Sequence, residues 1–158
     1  MLKKIGSYVF PVRWYAALVL FAILSDQVTK YLAFKVLTDA GKISGQLAET
    51  ATMCERFLWV KHPQRVQVVS VLENFWHFRY TENPGAAWGF LASADFSWRT
   101  PFFLVLSFLA MGFITLYFRQ TSPEQKLVRL ALSMVLVGAI GNFIDRVRLG
   151  YVIDFIDW

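Results

Sequence analysis

The eighteen residues from Pro101 to Phe118, PFFLVLSFLAMGFITLYF, carry no charge. A helix of that length rises about 27 Å, close to the thickness of a bilayer's hydrocarbon core. An uncharged run this long reads as a transmembrane helix, and Pro101 suits its first turn. One such helix already names the solvent as lipid. Composition agrees, with 56% hydrophobic residues and 17% charged, against about 25% charged in an ordinary soluble domain. The 158 residues allow one domain.

Two further runs have the same character. The apolar pattern from Val12 to about Lys35 predicts a retained transmembrane helix. It continues through Tyr31 to Leu37, and no small-x-small cleavage site follows closely, so it does not read as a signal peptide. A third span is expected over about 127–145, interrupted only by Arg129 and rich in small residues that let helices approach closely. Lys3, Lys4 and Arg13 precede the first span, and Arg119, Lys126 and Arg129 lie between the second and third. The excess of basic residues places both groups in the cytoplasm. A net charge of +5 is therefore read as membrane topology, and no nucleic-acid partner is expected. The segment 36–98 then lies outside. Within it Val66–Tyr80 is β-prone and aromatic, which predicts a small sheet at the membrane surface, with Trp76, Trp88 and Trp98 at the interface. Residues 152–158 read as the start of a fourth helix, because three spans leave the bundle open.

Several polar residues stand at membrane edges, where an unpaired charge is costly. Asp26 and Lys30 are spaced i, i+4 and can pair on one helix face. They either anchor the helix end or hold extramembrane backbone near a site. Asn83-Pro84-Gly85 is a turn signature, which either feeds an interfacial helix or presents the Asn83 amide to a substrate above a floor made by Ala86 and Ala87. Asn142, Asp145 and Arg146 close the third span. Asp145 and Arg146 are adjacent, so on a helix they point in different directions and each needs a partner elsewhere. Asp154 has no basic residue within four positions. In an apolar setting it is a candidate general acid or base. Asp157 would share a face with it if the segment were helical.

Other chemistries find little support. Cys54 is the single cysteine, with no His/Cys cluster around it. His62 and His77 form no metal motif, and there is no GxSxG elbow or phosphate loop. Carboxylate chemistry remains.

The pieces SDQVTK (Ser25–Lys30), TENPGAAWGF (Thr81–Phe90), GNFIDR (Gly141–Arg146) and VIDF (Val152–Phe155), in that order, resemble the bacterial lipoprotein signal peptidases, the signal peptidase II family. The resemblance covers nearly the whole chain. It implies an intramembrane aspartyl protease of the inner membrane with four transmembrane helices and an extracytoplasmic β-cradle. Such an enzyme cleaves prolipoprotein signal peptides before a diacylglyceryl-modified cysteine, uses no cofactor or metal, acts as a monomer and is a target of globomycin. It implies that Asp154 is one of two catalytic aspartates. It implies also that Asp26, Lys30, Asn83, Gly85, Asn142, Asp145 and Arg146 bind substrate or support the dyad. Arg146 or Arg148 is expected to meet lipid phosphate.

Two departures stand beside the resemblance. The family's second aspartate lies in a later F-N-x-A-D motif at the start of the fourth helix, which these 158 residues do not reach. The chain is thus expected to be a shortened peptidase, incomplete as written. The 57-residue separation of Asp26 and Asn83 also suggests an insertion around 39–65. The rival readings are a lipopeptide-binding membrane protein that does not cut, and a small proton or cation transporter subunit.

Overall fold

The computed structural model describes residues 2–40, 51–85 and 98–158. The expectations for Ala86, Ala87 and Trp88, and for part of the 39–65 insertion, fall outside the described residues. Helix α1 runs Leu2–Leu37, α2 Met53–Trp59, α3 Arg99–Gln120 and α4 Lys126–Leu149. Strands β1 (Val68–Leu72), β2 (Trp76–Asn83) and β3 (Val152–Asp157) form one antiparallel sheet in that order.

Three of these helices are long and apolar enough to cross a membrane: Val12–Leu37 of α1, α3 and α4. Helix α3 has a mean hydropathy of 2.0, yet only 6% of its most apolar window is buried. Apolar side chains turned outward along a whole helix are stable in lipid and unstable in water. The chain is a multi-pass membrane protein.

Helices α3 and α4 form a hairpin. Arg146 lies over the Phe103 ring at 4.9 Å, and at the other end Arg129 lies over Phe118 at 5.1 Å. Arg129, the one charge near the start of the third span, is buried. Its guanidinium donates to the Thr121 carbonyl through Nε (3.2 Å) and Nη2 (2.7 Å). A helix leaves its last carbonyls unpaired and its C-terminus partly negative, so a cation there satisfies both needs. Helix α4 runs parallel to α1: Tyr15 donates to the Lys126 carbonyl near one end, and Lys30 meets Asp145 near the other. Gly150 ends α4 at φ 89°, a left-handed cap that suits glycine.

Residues 152–158 do not begin a fourth helix. Residues 152–157 are β3, paired with β2 from Asn83↔Val152 to His77↔Asp157. Val152, Ile153, Phe155 and Ile156 are strand formers, and pairing to β2 satisfies backbone that a short helix would leave open. The hairpin from β1 to β2 turns through Asn74 at φ 59°, a conformation asparagine tolerates. The sheet sits on the end of the bundle where α1 and α4 finish. Phe34 and Leu37 of α1, Phe57 of α2, Tyr80 of β2, and Tyr151 and Ile153 share one buried core there. Helix α2 reaches that core through Phe57. Its N-terminus carries a capping box, in which Thr52 Oγ1 accepts from the Glu55 amide and Glu55 accepts from the Thr52 amide.

Replacing Arg129 with Met removes both bonds to Thr121 and should cost about 2 kcal/mol. Unfolding in detergent measures it, and an unchanged midpoint would remove Arg129 from the account of the hairpin. Burial lifts the Tyr80 hydroxyl, and that of Tyr151, above the ordinary value of 10.0. A group whose proton is held more tightly in the folded state stabilises the fold below its unfolded pKa and loses that contribution as pH rises. Stability should therefore be flat to about pH 10 and fall beyond it. Tyr80→Phe should shrink the alkaline loss, whereas an equal loss in the variant would place the titrating group elsewhere.

Candidate active site

Asp26 and Lys30 lie one turn apart on α1 and pair across that turn at 3.0 Å. The Lys30 ammonium reaches further, to Asp145 Oδ2 on α4 at 2.7 Å. Because the two helices run parallel, their turns meet in step: Gly141 lies against Asp26, and Asp145 against Lys30. A Cβ on Gly141 would sit 2.5 Å from Asp26 Oδ2. A side chain there would push the carboxylate aside, so glycine lets Asp26 keep its place against α4. Gln27 Nε2 donates to Asp26 Oδ2 at 3.0 Å and to Asp145 Oδ1 at 3.4 Å. The sequence reading singled out neither Gly141 nor Gln27 as a site residue. Gly141 showed only as one member of a small-residue stripe.

Asp145 is fully buried. Besides Lys30 and Gln27 it accepts the Ile153 amide at 3.2 Å, and the Arg148 guanidinium stands 3.6 Å away. One carboxylate thereby ties α1, α4 and the start of β3 together. The next residue of that strand is Asp154.

Asn83 and Asp154 face each other across the β2–β3 ladder, in which Thr81 pairs with Asp154 and Asn83 with Val152. Asn83 Nδ2 donates to Asp154 Oδ2 at 2.9 Å, and its Oδ1 accepts the Gly85 amide at 2.9 Å. The turn thus fixes which way the amide points: the end that must accept is taken by Gly85, so the donor end meets the carboxylate. Arg146 completes the frame. Its Nη2 donates to the Gly85 carbonyl at 2.6 Å, joining α4 to the turn.

A cavity of about 590 Å³ opens between these elements. Asp26, Lys30, Asn83, Gly85, Asn142, Arg146 and Asp154 all line it. Asp145, the eighth position singled out from sequence, sits behind the wall and holds Lys30. Among the described residues no cluster of His, Cys, Asp and Glu could hold a metal ion.

Three expectations are corrected. Asp154 is exposed at the cavity rather than enclosed in apolar surroundings. Asp157 does not share its face, because side chains three apart on a strand point to opposite sides. Asp157 instead binds Arg79 Nη2 at 2.8 Å. Nor do Arg146 and Arg148 reach outward for phosphate. Both guanidinia turn inward, Arg146 to Gly85 and Phe103, Arg148 to Asp145 and the Phe57 ring 4.0 Å away.

The profile of the family described as signal peptidase (SPase) II matches residues 18–158. The chain belongs to the signal peptidase II family. A lipoprotein signal peptidase of Anaeromyxobacter sp. (strain Fw109-5) is 39% identical over 153 residues, which is 92% of this chain and 71% of that protein. One from Caldanaerobacter subterraneus subsp. tengcongensis is 38% identical over 141 residues, 89% of this chain and 75% of that protein. One from Geobacter sulfurreducens is 47% identical over 91 residues, 58% of this chain and 56% of that protein. A solved structure described as a bacterial membrane enzyme superposes with a TM-score of 0.63 at 25% identity, covering 92% of this chain and 70% of that one. The family is one of aspartic-type proteases, and the fold it shares here is three apolar helices with a small antiparallel sheet.

The carboxylates should separate by environment. Asp145→Ala leaves the buried Lys30 ammonium with Asp26 alone and the Ile153 amide without its acceptor, and should cost about 3 kcal/mol. Asp154→Ala removes an exposed group and should change stability by less than about 1 kcal/mol. Denaturant unfolding of both variants in the same detergent measures this, and equal losses would contradict the division.

Proposed function

We propose that this chain removes signal peptides from prolipoproteins, cutting before a diacylglyceryl-modified cysteine, with Asp154 as one of two catalytic carboxylates. The observation that carries the reading is the single cavity into which four separate stretches of sequence bring seven of the eight positions named from the resemblance.

Asp154 is the carboxylate free to do proton chemistry there. Asp145 is held by two cations and an amide, Asp157 by Arg79, and Asp26 by Lys30 and Gln27. Asn83 engages one Asp154 oxygen and leaves the other for water. The partner carboxylate is the one the family carries in its later F-N-x-A-D motif. Two carboxyl groups a few ångströms apart share one proton, because both cannot ionise easily. The ionised one takes a proton from water, which attacks the scissile carbonyl. The protonated one donates to the carbonyl oxygen, and the carboxyl that took water's proton then delivers it to the leaving amine, while the first recovers its proton as the carbonyl re-forms. Lys30, with Asp145 behind it, holds positive charge beside the site. The same reading puts the protein in the inner membrane as a monomer, N-terminus in the cytoplasm and cavity on the outer side. Lys3, Lys4 and Arg13 support this orientation. Arg129 supports it less, since it is occupied with Thr121.

The test uses the full-length protein that carries this sequence, in nanodiscs, with a diacylglyceryl-cysteine peptide as substrate. Cleavage is expected, and Asp154→Asn should reduce it at least a hundredfold, up to about 10⁴-fold. Asn83→Ala should lower it less. Full activity in Asp154→Asn would overturn the assignment.

A further inference from the structure

A second groove lies on the other side of Phe155. It has a volume of about 330 Å³ and runs between α1 and the sheet. Leu32, Ala33 and Val36 of α1 form one wall, one helical face at successive turns. Each strand contributes one residue to the opposite wall: Val69 from β1, Phe78 from β2 and Phe155 from β3. The size falls in the usual range for a ligand site, roughly 300–1,000 Å³. Among the described residues that line it, only Thr29 has a polar side chain, and its hydroxyl already donates to the Ser25 and Asp26 carbonyls. The groove has nothing to offer a polar ligand.

Two features identify what would fill it. Leu32, Val36 and Val69 are about half exposed, on the membrane-spanning helix and the sheet that sits on it, so the groove is reached from the lipid side. Phe155 also lines the carboxylate cavity, beside Asp154. A molecule with its reacting bond at Asp154 and an alkyl chain a few atoms away would find the groove at the right distance. A lipid-modified cysteine is such a molecule.

We propose that this groove holds one acyl chain of the substrate's lipid-modified cysteine while the scissile bond lies at Asp154. The proposal rests on the function proposed above. Burying the chain in protein rather than in bilayer gains little by hydrophobicity, since lipid is equally apolar. The gain is orientation: tethered at the cavity, the chain fills the groove at high effective concentration and fixes where the peptide bond sits. Ordinary phospholipid lacks that tether and should compete poorly.

The experiment reads binding rather than turnover, so its outcome is independent of whether cleavage occurs. The native chain in nanodiscs is photolysed with a non-cleavable diacylated-cysteine peptide carrying a diazirine in one palmitoyl chain. Adducts are expected on the α1 stretch around Leu32 to Val36 and on Val69 or Phe78. Excess unlabelled lipopeptide should remove them, while phospholipid with the same chains should not. Val69→Trp fills the groove and should cut labelling about tenfold. Phe108→Trp, on the exposed face of α3, should leave it within about twofold. Adducts spread along α3, equal labelling by a phospholipid probe, or indifference to Val69→Trp would each overturn the proposal. Loss of cleavage in the preceding test with groove labelling intact would count against the function and spare the groove.

Discussion

The buried contact between Lys30 and Asp145 sets the frame on which the other features hang. It does so less by adding stability than by forbidding alternatives. Taking both charges out of water offsets much of their attraction. Slide α1 one turn along α4, however, and the buried Asp145 loses its nearest cation while Lys30 keeps only Asp26, a loss that destabilises a buried charge. Gly141 repeats the constraint one turn earlier, because only there does α4 leave room for the Asp26 carboxylate. The two parallel helices are thus keyed at two successive turns. Asp145 carries the key into the sheet by accepting the Ile153 amide. The residue after Ile153 is Asp154, so the register of the membrane helices sets where the carboxylate of the proposed dyad stands.

Four aspartates, Asp26, Asp145, Asp154 and Asp157, stand on the helices and the strand that frame the cavity, and their surroundings divide them. Asp145 is walled in by Lys30, Arg148 and an amide and cannot meet water. Asp26 borders the cavity but is held by Lys30 and Gln27. Asp157 is spent on Arg79. Asp154 alone of the four is exposed at the cavity, where Asn83 donates to it and the Arg146 charge lies within electrostatic reach. Chemistry needs a carboxylate whose proton can come and go, whereas architecture needs one that never moves. The chain has both, one turn of helix and a short strand apart.

Much of this was legible in the sequence wherever the signal was local. The uncharged run after Pro101, the i, i+4 spacing of Asp26 and Lys30, and the Asn-Pro-Gly turn each carry their own physics within a few residues. What failed depended on contacts distant in sequence. Val152–Asp157 is rich in strand formers, but its aspartates fall three apart rather than alternating, and a preference for closing a three-helix bundle argued for a helix. Its ladder partner, β2, lies about seventy positions earlier, and no local pattern announces it. Arg146 and Arg148 looked like arginines reaching for headgroups because each stood near a helix end. Only the placement of Gly85, Phe57 and Asp145 shows that both turn inward. Gly141 looked like one small residue among many until Asp26 appeared opposite it.

The corrected strand changes what residues 152–157 can do. A helix would have set Asp154 and Asp157 on one face and left Phe155 among lipid. A strand sends successive side chains to opposite sides. Asp154 then meets Asn83 at the cavity, while Phe155, which borders that cavity, also forms part of an apolar wall with Phe78 and α1. A substrate that is peptide at one point and hydrocarbon a few atoms away requires such a boundary, polar and apolar surfaces one residue apart on a rigid backbone. Pairing with β2 supplies the rigidity, and the Ile153–Asp145 bond aligns the boundary with the helix ends. The alternation of a single six-residue strand thereby sets a carboxylate beside Asn83 and an aromatic ring against α1 one residue apart, the juxtaposition on which the proposed function and the proposed acyl groove both rest.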